Sequence, residues 1–85
     1  MSYQVDWAPL ARDEALRIVL ARPDRAEVVR AMDVIGAVLA EEGPRAGESR
    51  EGPFRILIER PLAVKFTVDT REALVTIAQI WALRS

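Results

Sequence analysis

From Pro9 onward the hydrophobic period of this chain changes once, from 3.6 residues to two, across a stretch at 43–53 marked by Gly43, Gly47, Gly52, Pro44 and Pro53. Before that stretch the apolar residues fall on helical stripes. Leu16, Val19 and Leu20 stand at i, i+3 and i+4 with Ala15 beside them, and Pro9 sits where a first helical turn tolerates proline. This predicts a helix over Pro9–Ala21, with Leu16, Val19 and Leu20 facing the core. Pro23 breaks the pattern at Arg22. Val28, Met32, Ile35 and Leu39 then recur at steps of four, three and four, which predicts a second helix over Pro23–Glu42. So short a break makes the two helices a hairpin.

After the stretch the residues alternate. Phe54, Ile56 and Ile58 alternate with Arg55, Leu57 and Glu59; beyond Pro61, Leu62, Val64, Phe66 and Val68 alternate with Ala63, Lys65, Thr67 and Asp69. A polar turn at 69–72 leads to a third apolar run, Ala73–Trp81. Ahead of the helices, Tyr3, Val5 and Trp7 alternate with Gln4 and Asp6 as a short strand. Strands grouped after helices argue for an α+β domain. The expected architecture is a short N-terminal strand, then a helical hairpin packed on a mostly antiparallel sheet completed by three C-terminal strands. The 85 residues suit a single domain, 1–85, without repeat or linker.

Composition removes several chemistries. The chain has no cysteine and no histidine, so disulfides, thiol nucleophiles, serine–histidine triads and histidine-ligated metals are excluded. Cofactors and metals are not expected. No segment approaches the ~20 apolar residues of a membrane span, and no basic-then-apolar leader opens the chain. A cytoplasmic protein without membrane contact is the expectation. Net charge is only -1, but it is unevenly spread. Residues 1–42 carry -3, residues 43–65 carry +2 and residues 66–85 are neutral.

Arg55 and Lys65 of the basic segment fall inside strands. With Phe54, Ile56 and Ile58 taken as one buried face and Leu62, Val64 and Phe66 as the other, Arg55 and Lys65 project together from the far side of the sheet. Thr67 joins them and Arg50 leans in from the loop. Such a surface suits phosphate, through the arginine fork and the lysine point charge; it equally suits a solvated or ion-paired sheet face. The carboxylates form no paired catalytic constellation, and the glycines are too spread for a phosphate loop. Of the aromatics, Tyr3, Trp7, Phe54 and Phe66 read as core, with Trp81 half exposed near the chain end.

The Tyr-x-Val-x-Trp strand, the Ala/Leu-rich hairpin, Gly47-Glu48-Ser49-Arg50, Arg55-Ile56-Leu57 and the Leu62–Asp69 strand closing on Val68-Asp69 together resemble the RelE/ParE superfamily of type II toxin–antitoxin toxins. The resemblance covers nearly the whole chain in element order. It implies a toxin held inactive by a cognate antitoxin, in systems associated with plasmid stabilization. RelE-like members are mRNA interferases that cut in the ribosomal A site; ParE-like members inhibit DNA gyrase without cutting nucleic acid. Carried over by position, Arg55, Lys65 and Arg84 are the candidates for a RelE-like catalytic set, and Arg50, Arg55, Lys65 and Thr67 for RNA binding. The set is incomplete. Ala63 stands where many such nucleases place arginine, and no tyrosine or histidine follows the last strand. An arginine stays protonated and makes a poor general base. The resemblance therefore implies a RelE-type interferase with an incomplete site, with a ParE-like gyrase inhibitor or a non-toxic interaction domain as alternatives.

Overall fold

The computed structural model describes residues 2–84. A four-residue strand β1 (Gln4–Trp7) leads through Ala8 into α1 (Pro9–Ala21), and a three-residue turn joins α1 to α2 (Arg25–Glu42). A single 3-10 turn (Gly43–Arg45) precedes β2 (Glu48–Ser49), β3 (Arg55–Glu59), β4 (Leu62–Asp69) and β5 (Leu74–Ala82). The strands form one mixed sheet in the order β1-β5-β4-β3-β2. β2, β3, β4 and β5 pair antiparallel in sequence; β1 lies parallel to β5 at the edge.

The predicted elements are present, with the second helix starting at Arg25 rather than Pro23. The stretch read as loop contains two further elements, the 3-10 turn and the two-residue β2. Gly43 closes α2 with φ +50°, and a Cβ there would enter the Tyr3 ring, so only glycine lets the two ends of the helical segment meet. The Tyr3 amide donates to the Ala40 carbonyl, which binds β1 to the end of α2.

The helices cover one face of the sheet. Val28, Ala31, Ile35 and Leu39 of α2 are wholly buried, as are Leu62, Val64 and Phe66 of β4 and Val75 and Ile77 of β5. Each of the Val, Leu, Ile and Phe side chains among them contributes roughly 1.5–3 kcal/mol relative to exposure. The α1 stripe differs from expectation. Ala11, Ala15 and Ile18 are the buried residues, Val19 is partly buried, and Leu16 and Leu20 are each 59% exposed. Two alanines at the contact let α1 lie close on β5, a spacing that leucines would not allow.

Candidate functional site on the open sheet face

The face of the sheet turned away from the helices is set by β4, where Leu62, Val64 and Phe66 point into the core and Ala63, Lys65 and Thr67 point out. β3 joins β4 through the two-residue turn Arg60-Pro61, so Glu59 pairs with Leu62, Ile58 with Ala63, Leu57 with Val64, Ile56 with Lys65 and Arg55 with Phe66. Directly paired residues share a face. Leu57 therefore packs against the core with Val64, and Ile56 and Ile58 stand on the open face beside Ala63 and Lys65.

This register reverses the expected faces of β3. Arg55 is on the helix side, not beside Lys65. Its Nε donates to the Ala46 carbonyl at 2.8 Å and its Nη2 to the Gly47 carbonyl at 3.1 Å. The guanidinium thus satisfies the backbone of the turn that carries the chain from α2 into β2. Gly47 at that turn has φ +63°, and a Cβ would run into the Ile56 carbonyl. Phe54, expected in the core, stands on the open face instead, where the Lys65 ammonium lies 4.4 Å from the centre of its ring.

The remaining candidates do not converge. Lys65 and Thr67 occupy the open face as expected. Arg50 is exposed and reaches Glu48 at 3.4 Å, near the start of β3, where its amide donates to the Phe54 carbonyl. Arg84 follows β5 at the other end of the strands, where the Leu83 amide donates to the Pro61 carbonyl. Four residues of β4 separate those two ends, about 13 Å at strand rise.

What the face does assemble is apolar. Ile58, Ala63 and Trp81 are consecutive cross-strand partners on β3, β4 and β5. Ala63 is fully covered by its two neighbours, while Ile58 is 53% and Trp81 37% exposed. The next row is Ile56, Lys65 and Gln79, and beyond it Thr67 pairs with Thr76. A register shift in β5 between these rows leaves Ala78 unpaired. Alternation alone puts Ile58 in the core and gives Ala63 no part in a site, so it does not disclose the row Ile58–Ala63–Trp81. The pairing rule for a two-residue turn at Arg60-Pro61 carries the signal. Among the described residues, no cluster of acidic side chains forms a metal site, and no helix is long and apolar enough to cross a membrane.

Solved structures share this arrangement. The RelBE2 toxin–antitoxin complex from Mycobacterium tuberculosis superposes with a TM-score of 0.78 over 96% of this chain and 92% of that one, at 18% identity. The chain has the RelE/ParE toxin fold. A chromosomal ParDE system from P. aeruginosa gives 0.69, covering 98% of both chains at 22% identity. The isolated E. coli RelE toxin gives 0.70 over 99% of this chain and 87% of that one, at 16% identity. No family model and no curated protein matches the sequence. The RelE/ParE fold is thus carried here by a sequence little like those of these neighbours, and it is common to the RelE and the ParE proteins among them.

Proposed function

We propose that the chain is the toxin of a type II toxin–antitoxin pair and that it acts, in the cytoplasm, by binding a protein target through the open sheet face, the ParE-like mode, rather than by cutting mRNA. The row Ile58–Ala63–Trp81 carries this reading. A half-exposed tryptophan and isoleucine flanking a covered alanine make a small apolar platform with polar neighbours. Tryptophan anchors of this kind dominate protein–protein contacts.

RNA cleavage through the 2′-OH needs a proton acceptor, a proton donor for the leaving oxygen, and cations at the phosphate. On this face Lys65 is the strand cation, and it is already engaged with Phe54. Arg55 is bound to backbone carbonyls behind the sheet. Ala63 is shielded between two apolar side chains. These residues support docking of a protein surface better than transfer of protons.

The RelBE2 and ParDE neighbours are toxin–antitoxin assemblies, which supports a cognate antitoxin as the partner that silences this chain. An antitoxin segment lying across Ile58 and Trp81 would mask the target-binding platform directly. DNA gyrase is the target to test first. Purified chain should inhibit supercoiling by gyrase, and Trp81→Ala should weaken inhibition at least about thirtyfold, the size of a hot-spot loss. Unimpaired supercoiling at large molar excess would remove gyrase as the target.

A further inference from the structure

The helical hairpin carries a second exposed apolar surface, remote from the open sheet face. Leu10, Leu16, Leu20 and Val29 are the exposed large hydrophobic residues of the two helices, with Leu10 standing apart beside Ala78 and Gln79 of β5. Between the helices lies a cleft of about 410 Å³ lined by Trp7, Arg12, Leu16, Val19, Met32 and Asp33. Its two charged residues have opposite signs and sit on opposite helices, Arg12 on α1 and Asp33 on α2. Among the described residues neither forms an ion pair. Their neighbours do: Arg17 pairs with Glu14, Arg22 with Asp24, and Arg30 with Glu27.

The hairpin turns at 22–24, so residues equally far from the turn lie level on the two antiparallel helices. Arg12 stands ten residues before the turn and Asp33 nine after it, and Leu16 six before and Val29 five after, so each pair is level to within one residue's rise, about 1.5 Å. We infer that this cleft face binds a second copy of the chain about a two-fold axis running along the cleft. Such a rotation lays α1 of each copy over α2 of the other. Arg12 then meets the partner's Asp33, and Asp33 meets the partner's Arg12. Leu16 covers the partner's Val29 by the same operation. An isologous contact requires a patch complementary to itself, and a cleft rimmed by one unpaired cation and one unpaired anion at matching height meets that requirement. The -3 balance of residues 1–42 does not oppose the contact. Once the pairs named above are set aside, it resides in Asp6 on β1, Asp13, Arg25, and Glu41 and Glu42 at the far end of α2.

The test is sedimentation equilibrium on the chain made by cell-free synthesis, with circular dichroism to show that each variant is folded. The wild-type chain should sediment at twice its 9.5 kDa mass. Arg12→Asp and Asp33→Arg should each weaken the dimer about tenfold or more, and the double swap should recover most of the loss, because it restores both pairs in reversed sense. Leu16→Glu should give a folded monomer. A wild-type chain that stays monomeric at about 100 μM, or a folded double swap no tighter than its parents, would overturn the inference. Loss of the cleft's accessibility only on adding an antitoxin, with the isolated chain monomeric, would assign the face to that partner instead.

Discussion

Two hydrogen bonds determine what Arg55 does. A guanidinium that donates to Ala46 and Gly47 carbonyls is a brace for the β2 turn, and its charge is turned away from the open face. Charge-assisted hydrogen bonds contribute about 1.5–3 kcal/mol each at most, and they leave buried carbonyls unpaired when removed. Arg55→Ala should lower the unfolding free energy by about 2–3 kcal/mol in urea titration. Trp81→Ala, at a half-exposed site, should lower it by no more than about 1 kcal/mol. Gly47→Ala should cost at least as much as the Arg55 change, since φ +63° and the Ile56 carbonyl both oppose a Cβ. The placement of Lys65 and Thr67 was legible in the alternation of β4, whose large apolar residues occupy one parity alone. That of Arg55 was not, because β3 and the residue before it carry large apolar residues on both parities: Phe54, Ile56 and Ile58 against Leu57. Hydrophobicity cannot choose between those faces; the turn at Arg60-Pro61 does, by fixing Leu57 opposite Val64.

At the scale of elements, α1 and α2 follow opposite lessons. The α2 stripe was legible because Val28, Met32, Ile35 and Leu39 recur at steps of four, three and four. On α1 the leucines outrank the alanines in hydrophobicity, yet Ala11, Ala15 and Ile18 face β5. Close approach, which favours small side chains, selected the buried face, and Leu16 and Leu20 were left outward. Gly36 lies in the interior of α2, and a Cβ there would meet nothing within 4 Å. Gly36→Ala should therefore raise stability by about 0.5–1 kcal/mol, measured as a shift of the urea midpoint without change of slope. The turn between the helices is held by Arg22 and Asp24 at 2.8 Å. The hydrogen bond from Arg22 holds the Asp24 carboxyl below its ordinary value. A depressed folded-state value means that this contribution is present above the ordinary carboxylate range and is lost as pH falls through the folded value. Stability should thus drop on acidification below about pH 4, and Asp24→Asn should flatten that part of the profile while leaving the neutral range little changed.

For the molecule as a whole, the change of hydrophobic period was sufficient to read a helical hairpin followed by an antiparallel meander. The place of β1 was beyond it. Alternation shows that Tyr3, Val5 and Trp7 share a face, but a four-residue strand carries no mark of its neighbour or direction. Its parallel seat beside β5 follows from the chain's geometry: the Ala8 amide bonds the Ile77 carbonyl and the Tyr3 amide bonds Ala40. The result is a domain with one sheet face sealed by helices and one left open. On the open side the register gathers Ile58, Ala63 and Trp81 and leaves Lys65 there without Arg55, and on that difference rests the proposal of a protein-binding toxin. The most direct test is a map of mRNA 5′ ends in cells induced to make the chain without a partner. The account predicts that growth stops while the ends of translated transcripts stay as they were. New ends phased to codons within open reading frames would contradict it and return the chain to the RelE-like nucleases.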